Sequence, residues 1–444
     1  MVENKQIELT EAEAELYDRQ IRLWGLDSQK RLRGARILLI GLKGFGAEVA
    51  KNIILSGVKS VTLLDSEDLT AADSCAQFLA PPDKIGSNRA EASQERAQAL
   101  NPMVAVTVNK TPVVELPDSF FTNFEVVCAM DCVQRQLVRI NGICRAAGVK
   151  FFCGQVWGMF GYMFADLQIH EYAEDVVHYR AAKHKADGGK AGNKGEAVTT
   201  TVRRTATYVP LEAALDVDWA DKQYAARLKK GDPSYFVTKA LLRFRSEKGR
   251  DPAPETREKD IATLLDLRTS IMEDCGVPCE LVPDSALNNV FAEVSPACAI
   301  VGGVLGQEVI KAVSQKEPPH NNMFFFNPQK CMGFIEMYAW YKIFICTVET
   351  FTKKFVYNIH TVVTFTKKLV YNIHIVGTFT KRLLYNILIN ISESNACPTK
   401  SDGCKRWNYL SRLKCVNIKS TVLRSPYFSH CLVKFIRIYP KLRF

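Results

Sequence analysis

Over the first third of the chain, apolar residues fall into short runs that alternate with stretches of helical, 3.6-residue period. Arg36–Asp65, RILLIGLKGFGAEVAKNIILSGVKSVTLLD, holds one whole unit of this pattern. ILLIG is short and rich in branched side chains, which predicts a parallel strand buried on both faces. Ala47, Ala50, Ile54 and Leu55 then mark the sheet-facing stripe of a helix, and a second strand ends at Asp65. Residues 100–157 repeat the alternation in VAVTV, EVVCAM, LVRINGICRAAG and VKFFCGQVWG, and Gly161–Leu167 reads as a further strand. The pattern predicts an α/β fold, doubly wound around a mostly parallel Rossmann-like sheet, with helical insertions.

Later segments follow other patterns. Residues 180–205, rich in Gly, Lys and Ala, read as a mobile loop. Lys183, Lys185, Lys190 and Lys194 within it are too diluted for a dense import signal, so a solvated linker is the expectation. Helices are predicted over 211–230, 234–248 and near 257–275, the last two separated by the helix-breaking DPAPE. A small-residue helix is expected over 295–315, with Ala297, Ala299, Gly302, Gly303 and Gly306 leaving room for another backbone in the core or across an interface. Met323–Phe326 and Gly333–Glu336 predict a closing hairpin.

The first unit carries the chemistry. Gly41, Gly44 and Gly46 allow a sharp turn and a close approach to a phosphate at the helix N-terminus, and Asp65 ends its strand where a ribose hydroxyl would need an acceptor. Their order, G-x-x-G-x-G, reverses the dinucleotide fingerprint, so NAD is not the default ligand. A turn that only closes a strand onto a helix, with no ligand, stays open as the alternative.

Charge divides the chain. Beyond Met337, 18 Lys and Arg stand against 3 Asp and Glu, so the tail alone carries +15 of a net +11 and residues 1–337 carry −4. A nucleic-acid function is therefore not expected of the folded part. No N-terminal segment reads as a signal peptide and no run reaches the roughly 18 apolar residues of a membrane span, so an intracellular protein without membrane partners is expected. The 14 cysteines form no C-x-x-C pair. Cys128 with Cys132, and Cys275 with Cys279, could share a metal by spacing, but buried reduced thiols are the expectation.

Upstream of the turn lies Tyr17-Asp18-Arg19-Gln20-Ile21-Arg22-Leu23-Trp24-Gly25. This string followed by G-x-x-G-x-G resembles the ubiquitin-like-modifier-activating enzymes, which share the ThiF/MoeB adenylation fold. Further matches keep the same order: Gln77-Phe78-Leu79, Gly86 with Arg89-Ala90, Leu100-Asn101-Pro102, Gly158 with Gly161-Tyr162, Lys248-Gly249-Arg250-Asp251-Pro252, and SPACAIVGGVLGQEVIKAVS. The resemblance covers roughly residues 10–337. In detail it is to the smaller, non-catalytic subunits of SUMO-activating heterodimers.

The departures from that family are informative. Where adenylating members have S-N-L-N-R-Q-F, with Asn and Arg on ATP phosphates, this chain has Asp73 and Ala76, which reverses the local electrostatics. Arg89 stands where the family has Lys. Asp131 matches the family's Mg-linked Asp, although a carboxylate at a strand end is the alternative favoured by the residues alone. No catalytic cysteine domain is recognisable. The resemblance then implies ATP and Mg bound mainly by a catalytic partner subunit, SUMO as the modifier, the SUMO-conjugating enzyme as an indirect partner, and a nuclear as well as cytoplasmic location. It implies that Arg19 reaches across the interface to the partner's ATP; an exposed arginine paired with Asp18 or Glu15 is the alternative. The equivalent subunit for another modifier, and a stand-alone nucleotide-binding oxidoreductase, are the other functions weighed.

The expected organisation is an adenylation-type part over 10–175, a flexible basic loop over 176–207, helices and closing strands over 208–337, and an atypical tail over 338–444. The tail repeats a 14-residue unit, ETFTKKFVYNIHTV, VTFTKKLVYNIHIV, GTFTKRLLYNILIN, which reads as a translated repeat packing poorly on the domain rather than a functional β array.

Overall fold

The computed structural model describes residues 9–180, 196–230, 232–327 and 332–338. Strands β1 (Arg36–Ile40), β2 (Ser60–Leu64), β3 (Ala105–Asn109), β4 (Val126–Ala129), β5 (Lys150–Trp157), β6 (Phe160–Asp166), β9 (Met323–Asn327) and β10 (Met332–Glu336) build one sheet, while β7 (Ile169–Arg180) and β8 (Glu196–Thr207) pair as a separate ribbon. The order across the large sheet is β10-β9-β6-β5-β4-β1-β2-β3. From β3 to β5 neighbouring strands run parallel; from β5 to β10 they run antiparallel. The doubly wound, mostly parallel sheet expected from the apolar pattern is therefore present, extended by an antiparallel flank.

The order of connection reverses at β1, which continues to β2 and β3 on one side and has β4 on the other, all parallel, with Ile40 level with Leu64 on one side and Ala129 on the other. Such a switch point opens a crevice beyond the carboxyl ends of the strands. The glycine turn follows β1, Asp65 follows β2 and Asp131 follows β4, so all three face one crevice.

The helix Gly44–Leu55, here the cradle helix, is apolar nearly all round and buries Phe45, Ala47, Val49, Ala50, Ile53 and Ile54. It is covered on its outer side by the helix Ser295–Ser314. Added β-carbons at Gly302 and Gly306 would come within 2.7 Å of the Glu48 Cβ and 2.6 Å of the Asn52 Cβ, so these glycines set the helix–helix spacing. Gly303 has no such neighbour and Ile300 is exposed, which splits the small-residue stripe into a core face and an outer one. By length and composition Ser295–Ser314 could cross a membrane, contrary to the expectation that no stretch is apolar enough, but it lies mostly buried as a core helix.

Two further expectations are corrected. The helix expected over 211–230 is broken into Leu211–Leu215, a single turn at Lys222–Tyr224 and Ala225–Lys230. Between them Trp219 packs against Tyr224, Tyr235, Phe236 and Tyr338. The loop expected over 176–207 is flanked by strands instead: Ile169 pairs with Thr207 and continues in register to Arg180 with Glu196. The lysines of that segment, at 183–194, and the tail from 339 onward lie outside the described residues.

Candidate functional site

The cleft at the switch point has a volume of about 930 Å³. Gly41 turns the chain with φ +85° while its amide donates to the Leu64 carbonyl at 2.9 Å. A Cβ at Gly46 would lie 2.0 Å from the Gly41 carbonyl oxygen, so the third glycine lets the helix start directly beneath the turn. A Cβ at Gly44 would lie 2.2 Å from the Ala76 Cβ and 3.0 Å from a Glu293 carboxylate oxygen. The space these glycines open is thus taken up by atoms of the chain itself.

Helix N-termini carry free amides and a partial positive charge that attract anions. Here the Phe45 amide donates to Glu293 Oε2 at 3.0 Å. Gln155 Nε2 donates to the other carboxylate oxygen at 3.2 Å, and the Cys298 thiol lies 3.7 Å from Oε2. Burial, with Asp131 nearby, pushes the Glu293 carboxyl up to about 8. Gln77 closes the same wall: its side-chain amide donates to the Leu42 carbonyl and to Ser93 Oγ, and its oxygen accepts from the Leu79 and Ala80 amides.

Asp65 and Arg89 are brought together. The Asp65 carboxylate accepts from the Leu42 amide at 2.8 Å, the Glu67 amide at 2.9 Å and Arg89 Nη1 at 2.9 Å. Only 5% of Asp65 and 4% of Arg89 is exposed, so both sit in the wall of the cleft with little surface free. Arg89 Nε also lies 3.5 Å from Asp73 Oδ2. Burial works against the Arg89 charge, but Asp65 and Asp73 outweigh it and hold the guanidinium protonated. The carboxylate that replaces a neutral amide at position 73 therefore sits on the one cation left near it.

Asp131, with φ 54°, accepts from Lys43 at 3.3 Å, Arg245 Nη2 at 3.4 Å and Gln155 Nε2 at 3.1 Å. Asp251 completes the cluster, accepting from Lys43 at 3.2 Å, Arg245 Nε at 2.7 Å and the Trp157 indole at 2.8 Å. Against burial, Arg245 and Lys43 hold Asp251 well below the ordinary carboxylate range, and Lys43 and Arg245 do the same for Asp131. Lys43, Arg89, Arg245 and Arg250 share this cleft with seven acidic side chains: Asp65, Glu67, Asp73, Asp131, Asp251, Glu255 and Glu293. Among the described residues no group of three or more His, Cys, Asp or Glu side chains could hold a metal ion.

Arg19 lies elsewhere. The segment carrying it docks at the far end of the cradle helix, where Gln20 donates to the Leu55 carbonyl. The helix's 12 residues span about 18 Å, more than an arginine side chain can bridge. Arg19 is exposed, and among the described residues it has no ion pair, because Asp18 pairs with Arg22 at 3.0 Å. Leu23, one helical turn on, is 76% exposed, and Leu16 is exposed nearby.

Of the residues that the sequence singles out, Gly41, Gly44, Asp65, Arg89 and Asp131 line one cleft, and Gly46 lies against the Gly41 carbonyl beneath the turn. Lys43, Arg245, Asp251 and Glu293 were not singled out. Asp251 lay in a noted motif, Lys248-Gly249-Arg250-Asp251-Pro252, whose structural sense is now visible: Gly249 ends the helix Ser234–Lys248 with φ 68°, Arg250 grips both oxygens of Asp260, and Asp251 turns into the cleft. Burial pushes Cys132 and Cys144 up to about 12 and Cys128, Cys153 and Cys298 higher, and it raises Cys275 as well, although Lys239 Nζ lies 4.0 Å from its sulfur.

A strand–glycine-turn–helix unit feeding a doubly wound sheet, with a cleft at its switch point, defines a Rossmann-like α/β protein. Residues 17–338 match the ThiF family, and the chain belongs to it. It is 45% identical over 331 residues to the SUMO-activating enzyme subunit 1 of Homo sapiens, covering 74% of this chain and 96% of that one. It is 45% identical over 342 residues to the protein of the same name from Danio rerio, covering 76% and 98%. A solved structure of E. coli MccB with succinimide is 11% identical, with a TM-score of 0.41, covering 75% of this chain and 73% of that one.

Proposed function

We propose that this chain is the non-catalytic subunit of a SUMO-activating heterodimer, contributing an arginine rather than a nucleotide site. The observation that carries the reading is the capped cradle: Glu293 accepts from the Phe45 amide at the helix N-terminus, beside Ala76. A triphosphate would be disfavoured there. It would have to displace the Glu293 carboxyl, meet Asp73, and face a cleft whose acidic side chains outnumber its basic ones. Asp131, held between Lys43 and Arg245, is not free to ligate Mg. No step of the reaction is therefore routed through this cleft.

The reaction requires the modifier's C-terminal carboxylate to attack the α-phosphate of ATP, releasing pyrophosphate, before a cysteine thiolate captures the acyl-adenylate. In this reading both sites belong to the partner. Arg19, unpaired, exposed and beyond reach of its own cleft, supplies a guanidinium in trans that neutralises phosphate charge as it develops. The exposed Leu16 and Leu23 beside it suit burial against a second subunit. Arg19→Ala in the reconstituted heterodimer is expected to lower ATP–pyrophosphate exchange by about 10³ or more while assembly persists. Unchanged exchange would remove Arg19 from the mechanism.

A further inference from the structure

Two motifs that lie 84 residues apart, YDRQIRLWG and Leu100-Asn101-Pro102, meet at the C-terminal end of the cradle helix. The last carbonyls of a helix have no intrahelical donors and need partners from elsewhere. Here the Ile54 carbonyl accepts from Asn101 Nδ2 at 3.1 Å, the Leu55 carbonyl from Gln20 Nε2 at 3.1 Å, and the Ser56 carbonyl from Gln29 Nε2 at 3.1 Å. Trp24 Nε1 in turn donates to Gln29 Oε1 at 3.0 Å. The motif thus acts as a side-chain cap, with Gln20 and Trp24 turned toward the helix end and Arg19 turned out.

Asn101 is the joint. One of its amide hydrogens goes to Ile54 and the other to the Tyr17 hydroxyl, at 2.9 Å, while its Oδ1 accepts from the Met103 amide at 3.1 Å. Both side chains are inside: Tyr17 is 2% and Asn101 4% exposed. The Tyr17 ring lies over Gly57, which has φ +79° and where a Cβ would stand 2.5 Å from the ring. Tyr17 directly precedes the helix Asp18–Trp24, whose seven residues are too few to be stable unaided. Its direction is set by what it is fastened to.

We propose that Tyr17 and Asn101 are positioning residues that fix the direction of Arg19, an inference that rests on the reading of Arg19 as an arginine acting in trans. Neither touches a nucleotide; they act by holding the guanidinium in one orientation before the subunits close on ATP. A misplacement of about 1 Å can cost about a hundredfold in rate. The cost would fall on kcat for adenylation and leave the apparent KM for ATP nearly unchanged, since Arg19 would stabilise charge that develops after binding.

The test is ATP–pyrophosphate exchange by the full heterodimer with SUMO, using Arg19→Ala, Asn101→Ala, Tyr17→Phe and the doubles with Arg19→Ala, with assembly checked by gel filtration. Asn101→Ala is expected to lower kcat by about ten- to a hundredfold in an assembled heterodimer. In the Arg19→Ala background it should add less than about twofold, because it acts only through Arg19. A loss of the same size in both backgrounds, or no loss where Arg19→Ala is severe, overturns the positioning role and leaves the trans arginine standing. A harmless Arg19→Ala overturns that reading, and the positioning role with it. If Asn101→Ala does not assemble, Tyr17→Phe decides alone: it keeps the ring over Gly57 and removes only the hydroxyl, so a several-fold kcat loss that vanishes beside Arg19→Ala is expected, and full activity is the contrary result.

Discussion

The Phe45 amide, one of the free donors that a phosphate would seek at the N-terminus of the cradle helix, donates instead to the Glu293 carboxyl 248 residues away. A side-chain carboxyl placed there satisfies the amide by accepting its hydrogen bond. It also changes how the fold responds to pH. The folded-state value of Glu293, about 8, lies above its ordinary 4.5, so the folded chain binds the proton more tightly than the unfolded chain does. Its stabilising effect is complete below pH 4.5 and is lost as pH rises toward 8.

Glu293→Gln should flatten that slope. In urea unfolding across pH 5 to 9, the wild-type chain is expected to lose stability relative to the variant as pH rises. The two curves should draw apart between pH 5 and 8 and run parallel above it. Parallel curves throughout would show that Glu293 keeps an ordinary carboxyl in the fold.

Asp251 has the opposite sign. Its folded-state value is held below the ordinary 3.8 by Arg245 and Lys43, so its contribution is present above that pH and disappears as pH falls through the folded value. Asp251→Asn should cost about 3 kcal/mol at pH 7, since it leaves a buried guanidinium short of a partner. The difference should shrink below pH 4, and a difference that persists in acid would contradict the ion-pair account.

Much of this was legible in the chain. RILLIG, the glycine turn and the second strand fall where their pattern puts them, because period and turn chemistry are local properties. The exchange of Asn and Arg for Asp73 and Ala76 announced a changed cleft. What replaced the lost charges could not be read, because Glu293, Arg245 and Asp251 are single residues in segments that only tertiary contact brings to the turn. Strand β8 did carry a signal in AVTTTV, whose branched residues favour extended chain, but the Gly and Lys just before it outweighed it in the reading. The break after Leu215 also had a mark: three aspartates, at 216, 218 and 221, surround the Trp219 that leaves the helix for the aromatic core.

The neighbouring glycines 302 and 303 should respond in opposite directions to alanine. At Gly302 the added methyl meets the Glu48 Cβ at 2.7 Å across two packed helices, and overpacking of that kind costs about 1–3 kcal/mol. At Gly303 nothing lies within 4 Å, and Gly303→Ala should stabilise the isolated chain by about 0.5–1 kcal/mol through lower unfolded-state entropy. Thermal unfolding of both variants checks this, and equal shifts would mean the helix pair is not packed as described.

Tyr338 is 5% exposed; its ring packs on Trp219 and Tyr235, and its amide and carbonyl pair with the Asn322 side chain. The family match ends at the same residue. Deleting residues 345–444 is expected to leave heterodimer assembly and pyrophosphate exchange unchanged, whereas a chain ending before Tyr338 should lose stability by about 3 kcal/mol or more as the aromatic core opens. Lost exchange in the 345–444 deletion would assign the tail a role.

The most direct measurement is ATP–pyrophosphate exchange by the purified chain alone, supplied with SUMO, ATP and Mg. No exchange above the rate without SUMO is expected, with activity appearing when the catalytic subunit is added. Exchange by the isolated chain would mean that the cleft closed by Glu293 and Ala76 accepts ATP after all.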